Sequence, residues 1–456
     1  MLLRGKNVLV IGSGISGIGA VGLLSALEAT PILFDGNEQA KPEDIMAKIP
    51  EEMENKPLIY TGVLPDEIKR KVELVIPSPG VPCDTGMVLE FREKNIPVWG
   101  EIELAYTAAK GQLAAITGTN GKTTTTSLVG EILREQYKDV CVVGNIGNPY
   151  TMEALKMTDE TVTVAEVSSF QLETVEHFHP KVSAILNVTP DHLNRHHTME
   201  NYAAAKEAVA MNQTKRDVCV LNYENEYTRD FGERCPAKVV YFSSERELMD
   251  GFFLKSDKIC MALDGKVTEV LDIHKDMNLV GICNVENVMA AIAIGLGMGV
   301  SMEKILHAIK QFKAVEHRIE FVATKGGVDY YNDSKGTNPD AAIQGIKAMS
   351  KPTVLIGGGY DKQNEYDEWI EAFDNKVKLL VLIGQTREKI ADCARKHGFT
   401  DYIFADSFED AMEICVKNAE VGDAVLLSPA CASWGMFPNY EVRGKMFKEY
   451  VLNLKE

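Results

Sequence analysis

The sequence lacks an apolar run long enough to cross a bilayer. Its longest, Val288 to Val300, has thirteen residues, against about twenty for a membrane helix, so it reads as a buried helix and no membrane partner is expected. There is no CxxC pair and no Cys/His cluster at zinc spacing. Nine cysteines are scattered along 456 residues, which excludes a disulfide scaffold and points to reduced thiols in a cytoplasmic chain. Positive charge is short: Lys+Arg 48 against Asp+Glu 66 gives −18. A broad nucleic-acid-binding face selects the opposite balance, so nucleic acid is not an expected partner. Small anions stay allowed, because a few local amides and lysines hold a phosphate whatever the total charge. Low-complexity tracts, short repeats and heptads are missing too. The opening MLLRGKNVLVIG has a short apolar run broken at Gly12, Ser13 and Gly14, with no small-residue cleavage site after it, so it reads as a buried strand rather than a secretory signal.

What is present is ordinary globular composition, 45% hydrophobic and 25% charged, in a chain long enough for about three domains. Strand-like and helical stretches alternate throughout, which predicts an α/β fold built of βαβ units on parallel sheets. In residues 1–100 the strands are NVLVI, PILFD and ELVI. In residues 101–315 they are LAAIT, DVCVV, TVTVAE, VSAILNV and DVCVL, followed by one or two helices over 287–312. Residues 316–456 carry DYYND, TVLIGGG, KLLVLIG and AVLLSP. Most of the unusual loops follow directly on a strand, where open α/β sheets bind ligands.

Gly12-Ser13-Gly14-Ile15-Ser16-Gly17 is a complete GxGxxG between strand and helix, with Asp35 at the end of the next strand. Alone, this suggests a nicotinamide oxidoreductase, though any nucleotide diphosphate fits the geometry, and a plain tight turn is the bland alternative. Gly118-Thr119-Asn120-Gly121-Lys122-Thr123-Thr124 is the sharper signal. Its amides cradle phosphates, Lys122 offsets their charge and the Thr123 hydroxyl suits Mg²⁺. The longer GxxxxGK[ST] form would want glycine where the chain has Ile116. Glu166 closes the strand TVTVAE, where an acid beside a phosphate loop can hold Mg²⁺; without the loop it would be a solvated rim residue. Asp191-His192 close the strand VSAILNV, and Lys206 lies in the helical stretch 202–211. His192 suits a second metal ligand or a general base, against a surface histidine as the plain reading; Lys206 alone would be a solvated helix lysine. His196 and His197 read as solvated loop residues.

Asn284 and Asn287 sit three apart on one helix edge. Asn284 reads best as an N-cap, with a purine edge as the other option. Arg318 at the domain junction fits a cis arginine finger or an ordinary salt bridge equally well. Asp333-Ser334-Lys335-Gly336-Thr337-Asn338, Lys362 after a triple glycine, and Ser428 to Ser433 supply lysines and hydroxyls suited to a carboxylate-bearing substrate.

GTNGKTTTT, EVSSFQLE, NVTPDHLNRH with Lys206, ENVMAAIA, EHRIE, NDSKGTNP and LLSPACASWGMF follow one another in this order. Together, over essentially the whole chain, they resemble the Mur ligase family and, within it, the D-glutamate-adding member. The resemblance implies three α/β domains: an N-terminal Rossmann-like domain, a central P-loop ATPase-like parallel sheet and a C-terminal Rossmann-like domain. It implies ATP-dependent joining of D-glutamate to UDP-MurNAc-L-Ala through an acyl phosphate, in a cytoplasmic monomer. It further implies two Mg²⁺ ions, one at Thr123 and Glu166 and one at His192 and Lys206, with Lys206 carbamylated. Gly118 to Thr124, Asn284, Asn287, Arg318 and Asp333 would bind ATP. Lys335, Thr337, Lys362, Ser433 and Tyr440 would surround D-glutamate. Asn145, Ser168 and Gln171 would line the muramoyl-alanine arm, and Ile15, Ser16, Asp35 and Gly80 the uridine end, which reassigns the first glycine loop from NAD to a UDP sugar. The family's polar residues after the strand-end acid are Gly36 and Asn37 here. An oxidoreductase, a folylpolyglutamate-type ligase and a non-catalytic nucleotide binder remain the alternatives.

Overall fold

A computed structural model describes residues 3–454 apart from Glu52, Glu54 and Thr85; Met1 and Leu2 of the opening run lie outside the described residues. The elements form three sheets in chain order. The first holds β1 (Asn7–Ile11), β2 (Thr30–Asp35), β3 (Leu58–Thr61) and β4 (Leu74–Pro77), all parallel, in the order β3-β2-β1-β4.

The second sheet holds β5 (Gln112–Thr117), β6 (Val140–Gly144), β7 (Val162–Glu166), β8 (Val182–Ile185), β9 (Val218–Asn222), β10 (Lys238–Ser243), β11 (Gly251–Lys255), β12 (Lys258–Leu263) and β13 (Lys266–Asp272). Its order is β13-β12-β11-β10-β9-β8-β5-β7-β6. The third holds β14 (Glu320–Lys325), β15 (Val328–Asn332), β16 (Thr353–Gly359), β17 (Val377–Gly384), β18 (Tyr402–Phe404) and β19 (Ala424–Leu427), in the order β14-β15-β19-β16-β17-β18.

The predicted α/β class is what the chain adopts. β1, β5 and β16 are near-continuous apolar runs because helices cover both faces of a parallel sheet. The chain packs as two compact units. Met1–Lys255, Cys260–Glu269 and Val288–Ile309 make the first; Ser256–Ile259, Val270–Asn287 and Lys310–Glu456 make the second. Among the described residues, no helix is long and apolar enough to cross a membrane, and all nine cysteines are unbridged.

Three expectations change, and the one-or-two-helix reading of 287–312 resolves to two. The strand read over 182–188 ends at Ile185, because the next residues leave the sheet to bind the phosphate loop: Thr119 N donates to Asn187 O at 2.9 Å and Asn120 N to Asn187 Oδ1 at 2.8 Å. His192 therefore stands on a loop, at φ +54°. The 287–312 stretch is two helices, Ile282–Gly297 and Met302–Gln311, parted at Gly299 with φ +93°. Asn284 lies inside the first of these, donating to Val280 O at 2.8 Å and accepting from Asn287 Nδ2 at 3.1 Å, so it is not the N-cap. β14 is an added antiparallel strand. Gly326 and Gly327, at φ +55° and +77°, form its two-residue hairpin, the turn that needs positive φ at both positions.

Candidate functional site

The first unit builds its site around β5. Gly118 (φ +151°) and Gly121 (φ +85°) give the chain between β5 and helix Lys122–Arg134 a path closed to most L-residues. The helix starts on Gly121, so its unpaired amides point at the loop and favour an anion there. Lys122 Nζ donates to Gly118 O and Thr119 O, both at 2.7 Å, which holds the cation over the loop. Thr119 Oγ1 is tied to Thr189, Oγ1 to O at 3.2 Å, and accepts from Thr189 N at 3.0 Å.

Two charged groups are buried nearby, one bonded to this loop and one at the end of the strand paired with β5. Lys206, 1% exposed, donates to Gly118 O at 2.8 Å and lies 4.4 Å from the Tyr202 ring centre. It is no solvated helix lysine: burial first, then the Lys122 charge, pushes its ammonium well below the usual lysine range. Glu166 ends β7 opposite Ile116 of β5 and is 1% exposed. Its Oε1 accepts from Asn145 Nδ2 at 2.9 Å; its Oε2 is buried with no hydrogen-bond partner. A buried, unpartnered carboxylate oxygen is costly unless a cation meets it. It and the Thr123 hydroxyl are hard oxygen donors of the kind Mg²⁺ takes, so the chemistry of these residues fits that ion.

The neighbouring segments are wired into a network that sequence reasoning missed. Ser168 and Gln171 cap helix Ser169–Leu172 reciprocally: Gln171 Oε1 accepts from Ser168 N at 2.9 Å, and Ser168 Oγ accepts from Gln171 N at 3.3 Å. Gln171 Nε2 reaches Glu101 Oε2 at 3.3 Å, and Glu101, also bonded by Thr151, is buried with its carboxyl raised by desolvation. His196 is buried rather than solvated: Nε2 lies 3.0 Å from Ser169 Oγ and Nδ1 3.4 Å from Glu173, because helix Leu193–His196 tucks the ring among Phe170 and Tyr202. His197 does stay exposed, 3.2 Å from Asp84. His192 is half-exposed, its Nε2 3.5 Å from Asp191 and its ring 4.8 Å from Phe170. Arg195 stacks on Phe170 and pairs with Glu173, and it donates to Pro79 O at 2.6 Å and Val81 O at 3.2 Å. It thereby fixes the backbone on both sides of Gly80.

At the first sheet, Gly17 is forced: a Cβ there would stand 1.9 Å from Gly12 O. Asp35 Oδ2 accepts from Ser13 N at 3.1 Å and from the Ser13 hydroxyl, and Oδ1 from Asn37 N at 3.0 Å. The Ser13 hydroxyl is the main reason its carboxyl sits below the usual range. Ile15 is 71% exposed at the helix start, next to Ser16.

The second unit has its own cluster. Asp333 follows β15 fully buried, accepting from Ile319 N at 3.2 Å and Ser428 Oγ at 2.7 Å. Burial raises its carboxyl to about 6, with Arg318 pulling the other way. Cys283, next to Asn284, feels both Arg318 and Asp333, which groups those residues. Lys335 stands 5.7 Å from the Tyr440 ring centre and Lys362 5.1 Å from that of Trp434, beside buried Ser433. Thr337 N bonds to Lys335 O at 2.9 Å. The unforeseen residue is Arg443, fully buried. It donates to Ser334 Oγ at 2.9 Å, Ser334 O at 2.7 Å and Cys431 O at 3.2 Å, tying the 333–338 and 428–433 loops to helix Tyr440–Leu452.

The chain matches three family descriptions: "Mur ligase MurD-like, N-terminal domain" over residues 6–100, "Mur ligase middle domain" over 116–295, and "Mur ligase, glutamate ligase domain" over 317–431. It is 57% identical over 454 residues to the UDP-N-acetylmuramoylalanine--D-glutamate ligase of Lachnospira eligens and 55% identical over 456 residues to that of Lachnoclostridium phytofermentans, covering 100% of both chains in each case. It resembles the solved UDP-N-acetylmuramate-alanine ligase of Thermotoga maritima with TM-score 0.60 at 20% identity, covering 99% of this chain and 100% of that one. A Thermotoga maritima MurF ligase solved in complex with ADP gives 0.57 at 16%, covering 85% and 91%. These last two establish the three-domain fold alone.

Proposed function

The chain belongs to the Mur ligase family, and from that premise we propose that it joins D-glutamate to UDP-N-acetylmuramoyl-L-alanine at the expense of ATP. The reaction belongs to peptidoglycan precursor synthesis, and so to cell-wall growth, shape and division. Its nucleotide substrates place it in the cytoplasm, and we take it to act as a monomer. The domains run 1–100 for the UDP sugar, 101–315 for ATP and 316–456 for the amino acid. The observation that carries the ATP half is one glycine loop whose Gly118 carbonyl accepts from both Lys122 and the buried Lys206, with the buried Glu166 carboxylate at the end of the strand beside β5.

In this reading the substrate carboxylate oxygen attacks the γ-phosphorus, the bond to the β-phosphate oxygen breaks, and an acyl phosphate and ADP result. Lys122 and the loop amides hold the phosphates, and Arg318 stabilises the transferred group. Asn284 and Asn287 border the adenine, and Asp333 helps hold ATP. Thr123 and Glu166 would hold one Mg²⁺ and His192 and Lys206 a second, and such ions would offset charge on the phosphoryl oxygens. The Lys206 amine, kept toward its neutral form, is the state that adds CO₂. A nitrogen–carbon bond forms, a proton leaves to solvent, and the neutral amine becomes an anionic oxygen donor.

The D-glutamate amine then attacks the acyl carbon, phosphate leaves and the amine gives up a proton. Lys335 and Lys362 are point charges for its carboxylates, with Thr337, Ser433 and Tyr440 around them. Asn145, Ser168 and Gln171 line the muramoyl-alanine arm; Ile15, Ser16, Asp35 and Gly80 take the uridine end. The test is phosphate release with UDP-MurNAc-L-Ala while the amino acid is varied. Release that depends on ATP and D-glutamate, and not on L-glutamate, glycine or lysine, is the expected result; release with folate, NADH turnover, or ATP binding without ADP formation would each reject it.

A further inference from the structure

In the second unit, and among no residues assigned to ATP or to either substrate, Asp367, Cys393 and His397 each offer a ligand atom, and these atoms lie within 4.8 Å of one another. Two helices build the cluster. Cys393 lies on helix Arg387–Lys396 and His397 is its C-cap, four residues on and so on the same face. Asp367 opens helix Asp367–Glu371, and Glu371 closes it.

The histidine ring stands between two carboxylates. Its Nε2 is 2.9 Å from Asp367 Oδ1, while Nδ1 lies 3.5 Å from Glu371 Oε1. A ligating imidazole gives one nitrogen to the ion and its other N–H to a carboxylate. Bonds of about 2.0–2.3 Å set tetrahedral donor atoms roughly 3.3–3.8 Å apart, so small side-chain rotations bring the three atoms onto one ion. The Cys393 sulfur is buried, and the other two side chains sit at the surface, which gives an entry path.

We propose that Asp367, Cys393 and His397 form a binding site for a zinc-class divalent cation, oriented by Glu371, with water in the fourth position. Sulfur and imidazole nitrogen favour such an ion over Mg²⁺ or Ca²⁺. On binding, the sulfur–metal bond forms as the thiol proton leaves to solvent, and metal-bound waters are released. The ion would pin the two helices together. Their N-caps, Tyr366 and Thr386, both meet Cys431 Sγ, at 3.1 Å and 3.3 Å, so the clamp stabilises the loop that also carries Ser433.

The test uses the untagged full-length chain titrated with Co²⁺, and with Zn²⁺ in competition. One Co²⁺ per chain, with a thiolate-to-cobalt charge-transfer band that Zn²⁺ abolishes, is expected. Cys393→Ser should lose the band and Cys260→Ser should keep it. His397→Gln and Asp367→Asn, at surface positions that leave folding intact, should weaken binding about 10–100-fold. No band in the natural chain, a band retained in Cys393→Ser, or unchanged affinity in His397→Gln would each overturn the site.

Discussion

The loops at Gly12–Gly17 and Gly118–Thr124 each follow a buried parallel strand, and each feeds a helix whose amides are open to an anion. They differ in what stands beside the glycines. Asp35 is satisfied by its own loop, through Ser13 and Asn37. Around the second loop the charges are only partly satisfied: Glu166 keeps one buried oxygen without a partner, and Lys206, though bonded to Gly118 O, has its charge disfavoured by burial and by Lys122. A settled carboxylate with no lysine in its loop can hold a nucleotide; an unsettled one at the next strand end, with two lysines bonded to the loop itself, can take part in chemistry on it. Glycine spacing supplies the cradle, and the neighbouring charges decide its use.

That contrast can be broken most severely at the lysines. Lys122→Ala and Lys206→Ala should each lower kcat about 10³-fold, and bicarbonate should not rescue Lys206→Ala; steady-state phosphate release reads both. Asp333, partnered yet buried, is an intermediate case. With its carboxyl raised from 3.8 to about 6 in the fold, it contributes stability fully present below pH 3.8 and lost as pH rises through 6. Between those values Asp333→Asn should show a stability profile flatter by about 3 kcal/mol than the natural chain, measured by denaturant melts at each pH.

Glu166→Gln should cut kcat about 10²-fold while leaving the unliganded melting temperature unchanged or higher, since it removes a buried charge without a cation. The smallest effect belongs to the first loop. Asp35→Asn should raise KM for the sugar nucleotide about tenfold with KM for ATP unchanged.

Much of this was legible in the residues. β1, β5, β7 and β16 are apolar runs bounded by glycine or acid, and Lys122, Thr123 and Glu166 stand at strand ends where ligands bind. Short edge strands such as β3 and β18 were not legible, because four and three residues carry no period. β14 was missed, although Gly326-Gly327 is a two-glycine hairpin signal between β-rich runs. Lys206, Glu101, His196 and Arg443 could not be placed as buried: a charged or polar side chain is read as solvated by default, and only partners distant in sequence, such as Gly118, Gln171, Ser169 and Ser334, take it out of water. Cys393 and His397 are close in sequence, but Asp367 joins them only through packing of two helices.

The most direct measurement of the central claim follows oxygen. UDP-MurNAc-L-Ala labelled with heavy oxygen in its terminal carboxylate is turned over with ATP and D-glutamate, and the released phosphate is examined by mass. Attack of that carboxylate on the γ-phosphorus requires one labelled oxygen to pass to phosphate in every turnover. Product formation with unlabelled phosphate would contradict the acyl-phosphate route and with it the roles given to Lys122, Glu166 and Lys206.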